Sequence, residues 1–227
     1  LNKVQVLLPR STRRDTYEFV EYRRWRAGEV WRFGPFAVTD PYRTVVDIAR
    51  TSAFRYALGY VDGLAREYDV EREELRAYAQ ANCRGLHGIA RAFDVFEYMD
   101  GRSDNGGESE ARAAMLLAGI AAPELQIELA RPGNSGYYLA DYGWQMPDGS
   151  WMLAELHGLG KFEDDTQNDL EHAAAKIYRA ALLRDANLRA MGHNVIHFKL
   201  SDTYDVDAFG AMMRSYGIPT TKPFADS

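Results

Sequence analysis

The sequence contains almost no cysteine. Cys83 is the only one among 227 residues, so the chain cannot form an internal disulfide, and we expect a cytoplasmic location because disulfides belong to oxidising compartments. No apolar run approaches the roughly 20 residues of a membrane span, and there is no secretory signal, so we expect no membrane association. The chain begins with Leu rather than Met, which predicts a piece of a longer protein or a processed form.

An excess of basic charge is also missing. The formal net charge of −6 argues against a wholly basic nucleic-acid-binding protein. The charge is uneven, however, because residues 1–50 contain ten Arg and Lys against six Asp and Glu. A basic front on an acidic protein fits contact with phosphate groups, and it fits a solvated, Arg-rich β surface equally well. The sequence leaves both interpretations open.

The hydrophobic fraction of 46% is sufficient for a substantial core. Residues 1–100 are β-rich at first and then helical. Runs of β-branched and aromatic residues predict strands, and apolar residues at steps of three and four predict helices. The predicted strands are 4–8, 17–24 and 30–34, and the predicted helices are 39–50, 52–68, 71–82 and 88–100.

The polar, Gly-rich stretch 101–107 predicts a boundary between a region 1–100 and a domain 101–227. The second domain is predicted to run helix, three strands, helix, strand, helix, at 108–119, 124–130, 137–144, 151–158, 167–190, 193–200 and 205–213. This order predicts an α/β (α+β) fold, in which a mixed central β-sheet is flanked by helices. The sequence "PDG" at 147–149 predicts a hairpin turn between two of the strands.

Acidic residues interrupt two of these strands. Side chains alternate along a strand, so Glu155 and His157 share one face at the end of 151–158. If the hairpin forms, Asp141 approaches Glu155 across the pair. Two carboxylates at a strand end suit Mg²⁺, which takes one or two carboxylates and retains several waters, and a nearby His or Lys can orient an attacking water. The alternative is that these acids lie on a solvent face.

Two further residues join the candidate site. Glu108 begins a stripe at helical spacing that continues through Ala111, Met115 and Ala118. We expect the stripe to face the sheet and to bring Glu108 toward the strand ends. Alternatively, Glu108 is an ordinary N-terminal helix residue that is favoured by the dipole and paired with Arg112. Lys161 is either a catalytic lysine or a loop lysine.

The ordered set Glu108, Asp141, Glu155-x-His157 resembles the PD-(D/E)XK nuclease superfamily, whose fold is restriction-endonuclease-like. The stretches "GGESEARAAMLLAGI", "PELQIEL", "YYLADYGW", "MLAELHGLGKF" and "LRAMGHNVIHF" are similar to the Vsr-like group of small nuclease domains common in actinobacteria. Upstream, "VTDPYRTVVDIAR" followed by "ALGYVDGLAREY" resembles the segment that precedes such domains in AbiEi-family antitoxins. Those relatives often begin with a winged helix–turn–helix, which is not evident here.

The resemblance implies a site for Mg²⁺ or Mn²⁺ that hydrolyses phosphodiester bonds, with Asp141 and Glu155 as metal ligands and Glu108 assisting. His157 stands where the superfamily usually has Lys, and Lys161 lies near the position of a later His in many of these domains. Arginines on the long helix and at the front are candidate DNA-phosphate contacts. They are Arg13, Arg14, Arg24, Arg179 and Arg184, together with Arg10, Arg23 and Arg26.

Two functions follow from the sequence, and a protein-interaction module with an inactive nuclease fold stays open beside them. The first is a Mg²⁺-dependent endonuclease acting on DNA. The second is an AbiEi-like antitoxin or transcriptional regulator whose nuclease fold is inactive, which the His in place of Lys favours. DNA is the expected partner of both; a homodimer and, for the antitoxin, a cognate toxin stay open. "GLGK" (158–161) lacks the first Gly of a P-loop, and His193 and His197 are predicted to be a solvent-facing pair rather than a zinc site.

Overall fold

The computed structural model describes residues 4–8, 20–24, 30–133, 136–157 and 167–224. This part of the chain has a mixed fold of helices and strands, which confirms the predicted fold class. The predicted elements all recur near their expected positions. The division into 1–100 and 101–227 stays a prediction.

The described residues at the front of the chain form two small sheets and four helices. β1 (Val4–Leu8) pairs in parallel with β2 (Val20–Arg24), and β3 (Val30–Phe33) pairs antiparallel with β4 (Phe36–Thr39). The helices are α1 (Pro41–Ala49), α2 (Phe54–Tyr68), α3 (Arg72–Asn82) and α4 (Ile89–Phe96). β4 was not predicted, because the sequence places a helix start at Thr39. The helix begins one residue after the cap Asp40, whose Oδ1 accepts a hydrogen bond from the Arg43 N–H (2.9 Å).

The second part has the predicted order of elements. They are α5 (Gly106–Leu117), β5 (Glu124–Ala130), β6 (Tyr137–Gln145), β7 (Trp151–His157), α6 (Gln167–Ala190), β8 (Asn194–Lys199), a 3₁₀ turn (Leu200–Thr203) and α7 (Val206–Ser215). The sheet order is β5-β6-β7-β8. β5, β6 and β7 form an antiparallel meander, and β8 pairs in parallel with β7.

Helices cover both faces of this sheet. On one face, Met115 of α5 and Phe209 of α7 pack with Tyr142, Ala154 and other sheet residues. On the other face, Leu188 of α6 packs against a second cluster that includes Leu153 and Val195. The turn between β6 and β7 is the predicted one, with Gly149 at φ +84° and the Asp148 carboxylate accepting from the Ser150 N–H (2.9 Å).

α5 connects the sheet to the front helices. Its Ala113 and Leu116 belong to the core of α1–α4, whereas its Ala111, Ala114 and Met115 belong to the core beneath the sheet. A buried ion pair also crosses this contact, because Arg112 of α5 donates to both carboxylate oxygens of Asp62 on α2 at 2.8 Å. Glu108 therefore lies on a helix that both cores hold in place. Among the described helices, none is both long and apolar enough to cross a lipid bilayer.

Candidate functional site

Asp141 of β6 and Glu155 of β7 lie on neighbouring strands, one residue beyond the last pair of their ladder. The β6–β7 ladder pairs Gly143 with Leu153 and ends at Tyr142 with Ala154, so Asp141 and Glu155 are the next residues of the two strands. The Leu156 N–H donates to Asp141 Oδ2 (2.9 Å), which ties the Asp141 side chain to the end of β7. Opposite residues of a regular antiparallel pair have Cβ atoms about 4.5–5.5 Å apart, and Asp141 and Glu155 continue this register near the C-terminal end of β7.

Glu155 forms an ion pair with an arginine of α6. Arg184 of α6 donates through Nη1 to Glu155 Oε2 (2.6 Å) and contacts Oε1 through Nη2. Arg184 also donates to the carbonyl oxygen of Leu139 on β6. One guanidinium thus bridges the two strands that carry the candidate acids. Arg184 was predicted to contact a phosphate, and no sequence pattern indicated this contact within the protein.

Two histidines lie beside Glu155 on the same face. His157, exposed at the end of β7, stacks on His197 of β8, with ring centroids 4.7 Å apart and planes 17° from parallel. His197 Nε2 forms a 2.8 Å hydrogen bond with Asp185 Oδ2 of α6, and its Nδ1 is 3.9 Å from Glu155 Oε2. The predicted solvent-facing pair of His193 and His197 is therefore wrong for His197, because Asp185 holds it half-buried against the sheet.

Glu108 is buried at the first turn of α5, and hydrogen bonds hold both carboxylate oxygens. The Asp104 N–H (2.7 Å) and the Gln126 Nε2–H (3.3 Å) donate to Oε2, and Asn105 Nδ2 (2.7 Å) donates to Oε1. Its apolar stripe packs against the sheet, as expected. Glu108 is not paired with Arg112, whose partner is Asp62.

The electrostatics link the three acids. Burial raises the pKa of Glu155 and Arg184 opposes this, while the charge of Asp141 raises it further. Burial also raises the pKa of Glu108, the Asp104 N–H opposes this, and Asp141 again raises it. The pKa of Asp141 is itself raised by burial, against the Leu156 N–H and Arg184. Asp141 is therefore the acid whose charge reaches both of the others.

The donor set fits one kind of cation. Within the described residues, no group of three or more His, Cys, Asp and Glu is arranged to hold a metal ion, so a cage built only from protein ligands is not present there. Asp141 and Glu155 provide two hard oxygen donors on adjacent strands, and Mg²⁺ needs only one or two carboxylates when water and phosphate oxygens complete its shell. These residues fit Mg²⁺ or Mn²⁺ that is also bound by a substrate phosphate. Arg184 contacts both carboxylate oxygens of Glu155, so it has to release at least one of them when the cation binds.

The structure places Asp141, Glu155 and His157 near the C-terminal end of β7, and the charge of Asp141 also acts on Glu108 of α5. The roles of these four residues stay predictions. Lys161, Arg13 and Arg14 lie outside the described residues, as do Arg10 and Arg26. Arg23 and Arg24 belong to β2, and their side chains are outside the description. Arg179 is exposed on α6.

Sequence reasoning missed three members of the site, namely Gln126, Asp185 and His197. Gln126 lies in the middle of β5 and reaches Glu108, whereas Asp185 and His197 pair between α6 and β8. One signal was available for His197, because it occupies the position of β8 that pairs with Glu155, and alternation places it on the face opposite Ile196 and Phe198. Gln126 and Asp185 carry no comparable signal.

The proteins that are similar to this chain do not indicate an activity for it. No family model matches the chain, and no solved structure matches it significantly. Two similar proteins are the uncharacterized proteins MT2308 and Rv2248 of Mycobacterium tuberculosis, from strains CDC 1551 / Oshkosh and ATCC 25618 / H37Rv, each 34% identical over 106 residues. The match covers 47% of this chain and 38% of each relative, so this chain matches well under half the length of those proteins.

Proposed function

We propose that this protein hydrolyses phosphodiester bonds of DNA with the help of Mg²⁺ or Mn²⁺. The observation that carries the proposal is the position of Asp141, which follows the last pair of the β6–β7 ladder beside Glu155 and is tied to the end of β7 by the Leu156 N–H. Burial raises the pKa of Glu155 and of Glu108, and the charge of Asp141 raises both further. Raised pKa values on neighbouring acids are typical of catalytic and cation-binding sites. The resemblance to PD-(D/E)XK nucleases in the same residues supports the same assignment.

Each residue of the candidate site has a proposed role in the hydrolysis. A bound Mg²⁺ would supply Lewis-acid polarisation of the scissile phosphate. Asp141 and Glu155 would hold the cation through their carboxylate oxygens, and Glu108 would assist directly or through water. His157 is exposed at the end of β7, and its ring stacks on the ring of His197. It is therefore available to orient a water for in-line attack.

A second function is favoured by one observation, the ion pair between Arg184 and Glu155. A guanidinium that occupies a ligand carboxylate would suit a domain that keeps the fold without cleaving DNA. The chain would then be part of an AbiEi-like regulator, which binds DNA, and a cognate toxin would be its further partner. Arg13, Arg14, Arg24 and Arg179 are proposed phosphate contacts in either case, and the cytoplasmic location stays a prediction.

Plasmid nicking separates these functions. Purified protein should nick supercoiled DNA with Mg²⁺ or Mn²⁺ and fail to do so with EDTA. Asp141→Asn and Glu155→Gln should each reduce the rate by about a hundredfold or more, because several kcal/mol of charge stabilisation would be lost. Glu128→Gln is the matched control, since Glu128 is an exposed acid on β5 of the same sheet.

Circular dichroism should show that all three variants stay folded. Equal nicking by the Asp141→Asn variant and the unaltered protein would exclude the proposed site. Binding of DNA by gel shift, with no cleavage by the unaltered protein under any cation, would favour the regulator instead.

A further inference from the structure

Gln126 has an unusual backbone for a residue inside a strand. Its φ is +54°, and within the described part of the chain only Asp69 shares a positive φ among non-glycine residues. Asp69 ends α2, where a left-handed residue is ordinary. A side chain with a Cβ pays about 1–2 kcal/mol for this conformation, so a left-handed glutamine in a strand has to be stabilised by its surroundings.

The strained position is the one that faces Asp141. The β5–β6 ladder pairs Leu125 with Tyr142 and Ile127 with Ala140, and it skips the intervening Gln126. Leu125 packs in the cluster beneath α5, whereas Ile127 packs in the cluster beneath α6. Residues two apart in a regular strand share a face, so the chain turns over at Gln126.

This turn allows the Gln126 side chain to reach α5. Its Nε2–H donates to Glu108 Oε2 at 3.3 Å. The other described donors to the Glu108 carboxylate, Asp104 and Asn105, belong to the loop and cap that precede α5 and serve the helix start as well. The Tyr142 hydroxyl of β6 holds the backbone carbonyl of Glu108, and Gln126 is the described sheet residue that holds the Glu108 carboxylate.

We propose that Gln126 is a positioning residue of the candidate nuclease site, and that it holds the carboxylate of Glu108 beside Asp141 by means of its left-handed backbone and its side-chain amide. This inference rests on the proposed function for its catalytic consequence. Its structural part, the placement of Glu108, stands independently of any cleavage. Gln126 would not contact the substrate itself.

Two variants distinguish the contribution of the left-handed backbone of Gln126 from that of its side-chain amide. Gln126→Gly keeps the left-handed backbone without strain and removes the donor. Gln126→Glu keeps the length of the side chain, removes the donor and places a second charge beside Glu108. Gln145→Ala, at the exposed end of β6, is the control for loss of a sheet glutamine. The measurements are kcat and KM for plasmid nicking, the affinity for Mn²⁺, the thermal midpoint and a crystal structure of the Gln126→Gly variant.

We expect both Gln126 variants to lower kcat by about tenfold or more while KM for DNA is unchanged, because a misplaced assisting group affects the chemical step rather than DNA binding. The Gln126→Gly variant should keep its thermal midpoint, and its crystal structure should show the Glu108 carboxylate turned away from Asp141. The control should match the unaltered protein.

The outcomes are distinguishable. If the unaltered protein neither binds Mn²⁺ nor cleaves DNA, the proposed function fails, and a displaced Glu108 in the Gln126→Gly crystal structure still supports the positioning role. If the unaltered protein cleaves DNA and both Gln126 variants cleave it equally well, the positioning role is overturned. A Glu108 carboxylate that stays in place without the amide overturns it as well.

Discussion

Arg184 of α6 and Glu155 of β7 form an ion pair in which the guanidinium contacts both carboxylate oxygens. The pair places a positive charge directly on one of the two proposed cation ligands. Burial raises the pKa of Asp141 and Arg184 opposes this increase, so one positive charge acts on both acids. A divalent cation that binds here must therefore compete with Arg184 or move it.

Removing this competitor should strengthen cation binding. Arg184→Gln should raise the affinity for Mn²⁺ by about tenfold or more, because a unit positive charge close to the site is lost in a partly buried setting. Calorimetric titration with Mn²⁺ measures the change. Arg179→Gln is the matched control, since Arg179 is exposed on the same helix, and its affinity should be unchanged. A weaker affinity in the Arg184→Gln variant would show that Arg184 supports the cation instead of opposing it.

The ion pair between Asp62 and Arg112 should be essential for stability. Arg112→Met leaves the fully buried Asp62 without its counter-charge, and we expect the free energy of unfolding to fall by about 3–5 kcal/mol. Arg102→Gln breaks the pair with Asp100 on the surface, and it should cost about 1 kcal/mol or less. Urea unfolding of both variants measures the difference.

The cost of Arg112→Met should also depend on pH. Burial raises the pKa of Asp62 and Arg112 opposes this, so the pKa rises further when Arg112 is removed. A carboxyl whose folded-state pKa lies above its unfolded value binds its proton more tightly in the native state, so stability is gained as pH falls through that folded pKa. The penalty relative to the unaltered protein should therefore shrink from neutral to mildly acidic pH. A constant penalty would contradict this reading.

Gly88 and Gly85 form a matched pair for testing a close backbone approach. Both have a left-handed φ, +76° and +74°. A Cβ on Gly88 would collide with the Arg50 carbonyl oxygen, whereas a Cβ on Gly85 would meet no atom within 4 Å. Gly85→Ala should cost about 1 kcal/mol of unfolding free energy, from the backbone alone. Gly88→Ala should cost about 3 kcal/mol or more, because α4 and α1 must separate. Equal costs in chemical denaturation would exclude the collision.

The hydroxyl of Tyr142 offers another paired test. It is fully buried and donates to the carbonyl oxygen of Glu108 (2.8 Å), and burial raises the pKa of Tyr142 well above its usual value. Tyr142→Phe should lower the unfolding free energy by about 1–2 kcal/mol. Tyr138→Phe removes a hydroxyl that accepts from Asn187 at the surface, where water replaces the bond, and should cost about 0.5 kcal/mol or less. A larger loss for Tyr138→Phe would contradict this account.

Much of the fold could be predicted because its signals are local. The alternation in "WMLAELH", the "PDG" turn and the cap at Asp40 each follow from a few neighbouring residues, and the structure confirms them. The missed features depend on side-chain contacts between different elements, which no local pattern reveals. No sequence pattern marks a left-handed glutamine, since Gly and Asn are the usual residues there. The partner of His197 is Asp185, which lies 12 residues earlier on α6.

The dual packing of α5 has a practical consequence for anyone who divides this protein. A fragment that begins at residue 101 would present Ala113 and Leu116 to water, because the front helices normally cover them. Arg112 would lose Asp62 in the same cut. The Gly-rich stretch before α5 is thus a poor place to divide the protein into two fragments that fold. Activity measurements should include the front helices, because they help to hold α5 and therefore Glu108 in position.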